Sequence, residues 1–363
     1  MELKAHFFFG FSRWKRGFIR PFFPSEERRF CFCRSLSHAL ERGLSPQSGA
    51  VYIWGKKSFD DVAVYAKKHA IPLYRVEDGF IRSVSLGSDL TRAYSLVVDS
   101  RGIYFDPTQP SDLEHILNTE KFDETMLARA RKLRRYLVEK RLSKYNANPD
   151  KKIDFPKKRT RQRTILVPGQ VEDDASVIFG ADGMRNIELL EAVRQNAPDA
   201  YIVYKPHPDV VAGNRKGDIP RHEAMRFADA VITDVSIDSV LEHCDEVHTM
   251  TSLVGFEALM RDKKVYTYGL PFYAGWGLTY DSRGCARRKR KRTLDELVAA
   301  TLIRYPRYID PVTHRLCEVE QTIANIEVMK RRYNTRRLYR LGIDIRNAVS
   351  RKIQLIGKVI LGE

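Results

Sequence analysis

The chain has 363 residues, 43% of them hydrophobic and 10% aromatic, which excludes a largely disordered protein and makes two domains of ordinary size the default. Lys and Arg outnumber Asp and Glu by 63 to 46, a formal charge of +17, so a polyanionic partner is expected: nucleic acid, acidic lipid, or a phosphorylated or carboxylated substrate. The five cysteines (Cys31, Cys33, Cys244, Cys285, Cys317) have no repeated spacing, which argues against a zinc site and for a reducing compartment.

No apolar run approaches the ~20 residues needed to span a bilayer. The opening "MELKAHFFFGFSRWKRGFIRPFFP" mixes aromatics with Arg and Lys and lacks a small-residue cleavage site, so it reads as a segment that lies on a membrane rather than a signal peptide. "GAVYIWG" is a short strand, "SFDDVAVYAKKHA" a helix with Ser58 as N-cap, and "IPLYRVEDG" another strand. "YSLVVDSRGIYFD" reads as a hairpin turning at Ser100-Arg101-Gly102, "SDLEHILNT" as a helix with a capping box, and residues 122–145 as a long basic helix. The polar, charged "NANPDKKIDFPKKRTRQRT" is a linker holding the domain boundary.

After it the alternation restarts: strand "TILVPG", helix "RNIELLEAVRQNA", strand "AYIVYKPHP", helix "HEAMRFADA", strand "AVITD", helix "SIDSVLEHC", strand "EVHTM", helix "SLVGFEALMRD" and strand "KVYTYG". Helices of about ten residues between strands imply right-handed crossovers and a parallel sheet. Two such units predict a two-lobed α/β protein with an interdomain cleft. At the end, "NAVSRKIQLIGKVILGE" places Ile353, Leu355, Ile356, Val359 and Ile360 along one side of a helix, suited either to the protein's own core or to a membrane surface.

In an open parallel sheet ligands bind at the carboxyl ends of the strands, and the unusual clusters all stand at such ends. "YKPHP" offers the ammonium of Lys205 and the imidazole of His207 in a loop stiffened by prolines, suited to a phosphate or carboxylate; a plain turn is the alternative. "HTMTSLVGFEAL" enters a helix at Thr251-Ser252, where hydroxyls and free N–H groups suit a phosphate, and ordinary capping by Ser252 is compatible with that. Glu257 in the same helix can accept from ribose hydroxyls or simply face solvent. "PGQVEDDAS" supplies Gln170, Asp173 and Asp174, carboxylates able to attack an anomeric carbon, and "VEDG" supplies Glu77 and Asp78, able to deprotonate an acceptor hydroxyl. Helix capping and turn formation are the competing readings of both pairs. Arg82 can meet a substrate carboxylate or form a surface salt bridge. No His/Cys cluster suggests a metal, and Asp234 and Asp238 in "TDVSIDS" do not form the aspartate-x-aspartate pattern of metal-dependent transferases.

Together "YRVEDGFIRSVSLGSDL", "SLVVDSRGIYFDPTQPSDLEHIL", "PGQVEDDASV", "YKPHPDV", "MTSLVGFEALMRDKKVYTYGLPFYAGWGLT" and "RTLDELVAATLIRYPRYIDP" resemble the retaining β-Kdo transferases of bacterial capsule polysaccharide biosynthesis, from about residue 50 to 315. The best-known members carry two such modules in tandem, and one is present here. The resemblance implies a GT-B-like fold with an acceptor-binding N-terminal lobe (1–155), a Rossmann-like donor lobe (156–318) and, beyond what the resemblance covers, a basic helical tail (319–363). It implies CMP-Kdo as donor, with no cofactor and no metal, and a saccharide or glycolipid acceptor. His207-Pro208 and Thr251-Ser252 resemble elements that hold CMP in bacterial sialyltransferases. The double-displacement aspartate falls within Gln170–Asp174, with Asp174 assigned as nucleophile, Asp173 in reserve and Glu77 as acid/base.

On this reading Lys205, His207 and Ser252 neutralise the donor, with Gln170, Thr251, Glu257 and Arg82 also on the donor side and Asp78 on the acceptor side. Cytoplasmic, peripheral association with anionic lipid of the inner membrane is expected from the two termini, each basic residue contributing about 1 kcal/mol. The rival readings are a nucleic-acid-binding protein, suggested by "RRKRKR" at 287–292, and a non-catalytic export or scaffold protein. The basic residues scatter through linker and tails without an aromatic-rich recognition motif, so no nucleic-acid partner is expected.

Overall fold

The computed structural model describes residues 5–23, 29–47, 49–83, 92–142, 162–213, 215–336, 341–343 and 345. Strand β1 (Ala5–Phe9) forms from "AHFFF", and all five residues are buried. A strand covered on both faces needs no polar alternation. Phe7 and Phe9 pack with Cys31, Cys33, Val51 and Ile53 on one face, and Phe8 packs with Phe11, Phe18, Phe22, Tyr52 and Trp54 on the other. Phe11, Phe18, Ile19, Phe22 and Phe23 are each at most 4% exposed. This corrects the membrane reading of the N-terminus: its aromatics are core.

Helix α1 (Arg13–Arg16) follows, then β2 (Arg29–Cys33), α2 (Leu36–Glu41), β3 (Gly49–Trp54), α3 (Asp60–Lys68), β4 (Leu73–Asp78) and β5 (Ser95–Asp99). Phe59, not Ser58, occupies the N-cap of α3, and the Ser58 hydroxyl donates to Asp60 Oδ2 at 2.7 Å. The expected hairpin does not form. Asp99 Oδ1 accepts from the N–H groups of Arg101 and Gly102, both at 2.9 Å, and this turn ends β5.

Beyond Ile103 the chain leaves this unit. Helices α4 (Asp112–Thr119), capped by Ser111, and α5 (Glu124–Glu139), capped by Asp123, belong to a second compact unit that runs on to Ala300. Arginines of the basic run hold α4 there, and Arg131 of α5 donates to Asp295 Oδ2 at 2.9 Å. Arg287 Nε donates to Glu114 at 2.7 Å, and Arg292 donates to the carbonyls of Leu117 at 2.6 Å and Glu120 at 2.9 Å. Arg288, 9% exposed, reaches Glu114 at 3.4 Å and the Ala274 carbonyl at 2.7 Å. Lys289, Arg290 and Lys291 are the members of that run left exposed.

The second unit continues as β6 (Thr164–Pro168), α6 (Ala175–Gly180), α7 (Asn186–Asn196), β7 (Tyr201–Lys205), α8 (Pro208–Val211), α9 (Arg221–Ala224) and β8 (Ala230–Val231). Then come α10 (Ile237–His243), β9 (Glu246–Thr249), α11 (Leu253–Leu259), β10 (Lys264–Thr267), β11 (Tyr280–Asp281) and α12 (Leu294–Val298). Its strands pair in the order β8-β7-β6-β9-β10-β11, all parallel. Counted within the unit this is the 3-2-1-4-5-6 order of dinucleotide-binding folds, and strand order reverses between β6 and β9.

A π-helical turn, Ala299–Arg304, precedes β12 (Pro306–Ile309), which runs antiparallel to β5, and β13 (Leu316–Cys317) pairs antiparallel with β12. The first sheet is ordered β13-β12-β5-β4-β3-β1-β2, parallel from β4 to β2 and antiparallel from β4 to β13. Only the second unit therefore has the expected Rossmann-type sheet; the first is mixed. Helix α13 (Val319–Thr335) buries Val319, Ile323 and Ile326, and its Thr322 hydroxyl donates to the Ile309 carbonyl at 3.1 Å. The boundaries at 155 and 318 are corrected accordingly. Residues 104–141 fall in the second unit, and the described residues from 301 to 336 fall in the first, where β12 pairs with β5. Most of the expected linker and the C-terminal segment 347–363 lie outside the described residues. No helix among the described residues is long and apolar enough to cross a membrane.

Candidate active site

A glutamine bridges the point where strand order reverses. Gln170, two residues past the end of β6 and 6% exposed, reaches the turn after β9. Its Oε1 accepts from the Thr251 N–H at 2.9 Å and from the Thr249 hydroxyl at 3.2 Å, while its Nε2 donates to Thr251 Oγ1 at 2.9 Å. A main-chain N–H can only donate, so the amide orientation is settled. The Thr251 hydroxyl then accepts from Gln170 and keeps its own proton for another partner.

Ser252 caps α11, its Oγ accepting from the Val254 N–H at 3.2 Å. The Ser252 N–H donates to Thr249 Oγ1 at 3.2 Å, and the Ser252 carbonyl accepts from Tyr273 Oη at 2.6 Å. Two N–H groups expected to be open for an anion are thus already satisfied. The hydroxyl protons of Thr251 and Ser252 are the side-chain donors this turn can offer. Glu257 is 5% exposed, which corrects the solvent-facing alternative.

Lys205 ends β7, and its carbonyl accepts from the Gly169 N–H at 2.8 Å, tying it to the loop after β6. Its side chain is buried, with Nζ donating to the Thr233 carbonyl at 3.4 Å. Burial pulls the ammonium pKa down to about 8, against the opposing pull of the Asp234 carboxylate. His207 caps α8, with Nδ1 accepting from the Asp209 N–H at 3.1 Å. The neutral ring therefore carries its proton on Nε2, which is a donor.

The acidic loop between β6 and α6 separates its carboxylates by environment. Glu172 Oε1 accepts from the Asn186 N–H at 2.8 Å. Asp173 is exposed and paired with Arg215, whose Nη2 stands 3.1 Å from Oδ1. Asp174 is half-buried and caps α6, its Oδ1 accepting from the Ser176 N–H at 2.9 Å and the Ser176 hydroxyl at 2.7 Å. Oδ2 of Asp174 has no hydrogen-bond partner among the described residues.

In the first unit, Glu77 and Asp78 end β4. Glu77 Oε1 accepts from the Asp78 N–H at 2.9 Å, and Arg82 Nε donates to Asp78 Oδ2 at 2.7 Å. Arg82 is 1% exposed, so this salt bridge is internal and not on the surface. Lys15 lies close by, its Nζ 3.1 Å from the Trp54 ring centroid. Burial lowers its pKa, while the carboxylates of Glu77 and Asp78 raise it.

Gln170, Lys205, Thr251 and Ser252 are thus linked within the second unit, while Glu77, Asp78 and Arg82 cluster in the first. Sequence reasoning missed Thr249, Ser176, Tyr273 and Lys15. Thr249 and Ser176 each stand two residues from an identified residue, Thr251 and Asp174, which was a usable signal. Tyr273 and Lys15 had none, because their partners are distant in the chain. Tyr273 and Trp276 of the aromatic- and glycine-containing stretch are fully buried, so both are packing residues of that stretch.

Residues 49–308 match the family described as capsule polysaccharide biosynthesis protein. The chain is 47% identical over 323 residues to the capsule polysaccharide modification protein LipA of Neisseria meningitidis serogroup B, covering 89% of this chain and 45% of LipA. It therefore spans about half the length of that relative. It is 39% identical over 333 residues to the lipopolysaccharide-processing protein LpsZ of Rhizobium meliloti, covering 89% of this chain and 74% of LpsZ. Two solved structures of Thermosulfurimonas dismutans KpsC share the fold. The β-Kdo 2,7 transferase has TM-score 0.72 and 36% identity, covering 90% of this chain and 100% of that one. The β-Kdo 2,4 transferase has TM-score 0.76 and 32% identity, covering 90% and 98%. This α/β chain belongs to the family of capsule polysaccharide biosynthesis proteins and is similar in fold to the KpsC β-Kdo transferases.

Proposed function

We propose that the protein is a retaining β-Kdo glycosyltransferase that moves Kdo from CMP-Kdo to a saccharide or glycolipid acceptor in bacterial surface polysaccharide biosynthesis. The observation that carries the reading is the Gln170 bridge, which couples the acidic loop to the Thr251-Ser252 turn where a nucleotide is expected on this strand order. The KpsC transferases named above supply the sugar class. Two α/β units, one with dinucleotide-binding strand order, support the GT-B-like class.

Lys205, His207 Nε2 and the hydroxyls of Thr251 and Ser252 bind the cytidylate phosphate, so that charge is met by side chains without a metal. Oδ2 of Asp174 attacks the anomeric carbon as the bond to the phosphate oxygen breaks and CMP leaves with the electron pair. Glu77 then takes the proton of the acceptor hydroxyl, whose oxygen displaces the Asp174 carboxylate. Two inversions give retention. Asp174 is preferred over Asp173 because Oδ1 is fixed by Ser176, whereas Asp173 is exposed and neutralised by Arg215. Asp78 is assigned to the acceptor side, with Arg82 holding its carboxylate, and buried Glu257 to the donor side.

Intact-protein mass spectrometry after incubation with CMP-Kdo tests this. A Kdo adduct is expected in the wild type and in Asp173→Ala, and its loss in Asp174→Ala. An adduct residing on Asp173, or transfer from UDP-sugars instead, would reject the assignment. For localisation, the proposal of peripheral inner-membrane association now rests on segment 347–363 alone. Liposome flotation with that segment removed should lose binding; unchanged flotation rejects its role.

A further inference from the structure

The acidic loop is gripped from outside by a residue with no assigned role. Asn186, the first residue of α7, is 1% exposed. Its Oδ1 accepts from the Gln170 N–H at 2.8 Å, and its Nδ2 donates to the carbonyls of Gln170 at 2.8 Å and Gly217 at 2.9 Å. Its own main-chain N–H donates to Glu172 Oε1 at 2.8 Å. The amide orientation follows from its partners, since an N–H and two carbonyls admit one arrangement. The Glu172 N–H donates in turn to the Lys216 carbonyl at 3.1 Å. At Gly217, φ is +122°, and a Cβ would lie 2.7 Å from the Gln170 carbonyl oxygen and 2.8 Å from Asn186 Nδ2. Two separate segments therefore close on the backbone of residues 170–172.

What that backbone carries lies on either side of the grip. The Gln170 side chain runs to Thr249 and Thr251, and two residues past Glu172 the Asp174 carboxylate opens α6. We propose that Asn186 is a positioning residue, setting the Gln170 amide and the Asp174 carboxylate in one frame while touching neither donor nor acceptor. This rests on the reading of Asp174 as nucleophile and Thr251 as phosphate donor. A buried amide with all three hydrogen bonds satisfied holds the loop in one geometry, and a displacement of about 1 Å at a reacting group can cost on the order of 100-fold in rate.

Asn186→Asp keeps the size and the acceptor for the Gln170 N–H, but sets an oxygen against the carbonyls of Gln170 and Gly217. Val193→Ala, in the apolar core on the same helix, is the control for general destabilisation. In full-length protein, amide exchange of peptides spanning residues 169–174 should quicken at least tenfold in Asn186→Asp, with distant peptides unchanged. Transfer from CMP-Kdo should fall about 100-fold in kcat while Val193→Ala stays within about twofold of wild type. Lowering the pH should restore part of the lost kcat, because the introduced carboxyl, its pKa raised by burial, donates one of the missing bonds once protonated. A loop that stays protected in Asn186→Asp overturns the grip. A loosened loop with wild-type kcat, or an equal loss in Val193→Ala, overturns the positioning role. If the wild type transfers no Kdo, the functional reading falls, and with it the catalytic consequence, while the exchange comparison still judges the grip.

Discussion

Lys205→Met should make the protein more stable and less able to hold an anion. The side chain is 6% exposed, its ammonium pKa is drawn from 10.5 to about 8 by burial, and the Thr233 carbonyl accepts from it at 3.4 Å. That fall corresponds to about 3 kcal/mol of cost for burying the charged form, since each pKa unit is worth about 1.4 kcal/mol. Methionine has similar length and no charge, so after loss of one hydrogen bond the net gain at neutral pH is about 2 kcal/mol. In the wild type the cost is present in full below pH 8. As pH rises from about 8 towards 10.5 the folded chain has released a proton that the unfolded chain still holds, so stability climbs with pH. The variant lacks that rise.

An arriving phosphate needs the charge. CMP affinity should drop at least tenfold in Lys205→Met, and in the wild type it should weaken as pH passes about 8. Urea denaturation near pH 7 and pH 9.5, with calorimetric CMP titration at both, measures these effects. A variant less stable than wild type near pH 7, or a stability difference that does not shrink with pH, refutes the buried-charge reasoning. CMP affinity that is flat across that range refutes the anion role.

Phe8→Ala should cost about 3–5 kcal/mol in urea denaturation, because Phe8 is 1% exposed and stacks on Phe30 and Tyr52; a surface-lying aromatic would change stability little. Arg288→Met strips the Ala274 carbonyl of its donor and removes one of the two arginines from buried Glu114, and is expected to cost about 3 kcal/mol by the same assay. Arg290→Ser, on the exposed part of the run, should stay within about 0.5 kcal/mol. Gly255→Ala would put a Cβ 2.2 Å from Tyr273 Oη and 2.6 Å from its Cζ. Melting should show a loss of about 2 kcal/mol, and CMP titration a weaker affinity as the Ser252 turn loses its hold on Tyr273.

The alternation of apolar runs with helical stretches was sufficient to determine an α/β chain, and the clusters past the strands named Gln170, Lys205, Thr251 and Ser252, which the fold links by hydrogen bonds. Caps such as Ser111, Ser252 and Asp174 were legible because capping joins residues two or three apart. Three matters were settled only by tertiary structure. Arg287 and Glu114 stand 173 residues apart, and no periodicity announces that "RRKRKR" fastens helix α4 into the second unit. The different surroundings of Asp173, exposed and paired with Arg215, and Asp174, half-buried at the start of α6, came only from the fold. The aromatic N-terminus was read as a membrane surface because burying apolar area against lipid or against a sheet removes the same water. Composition reports that area, and only the fold reports what covers it.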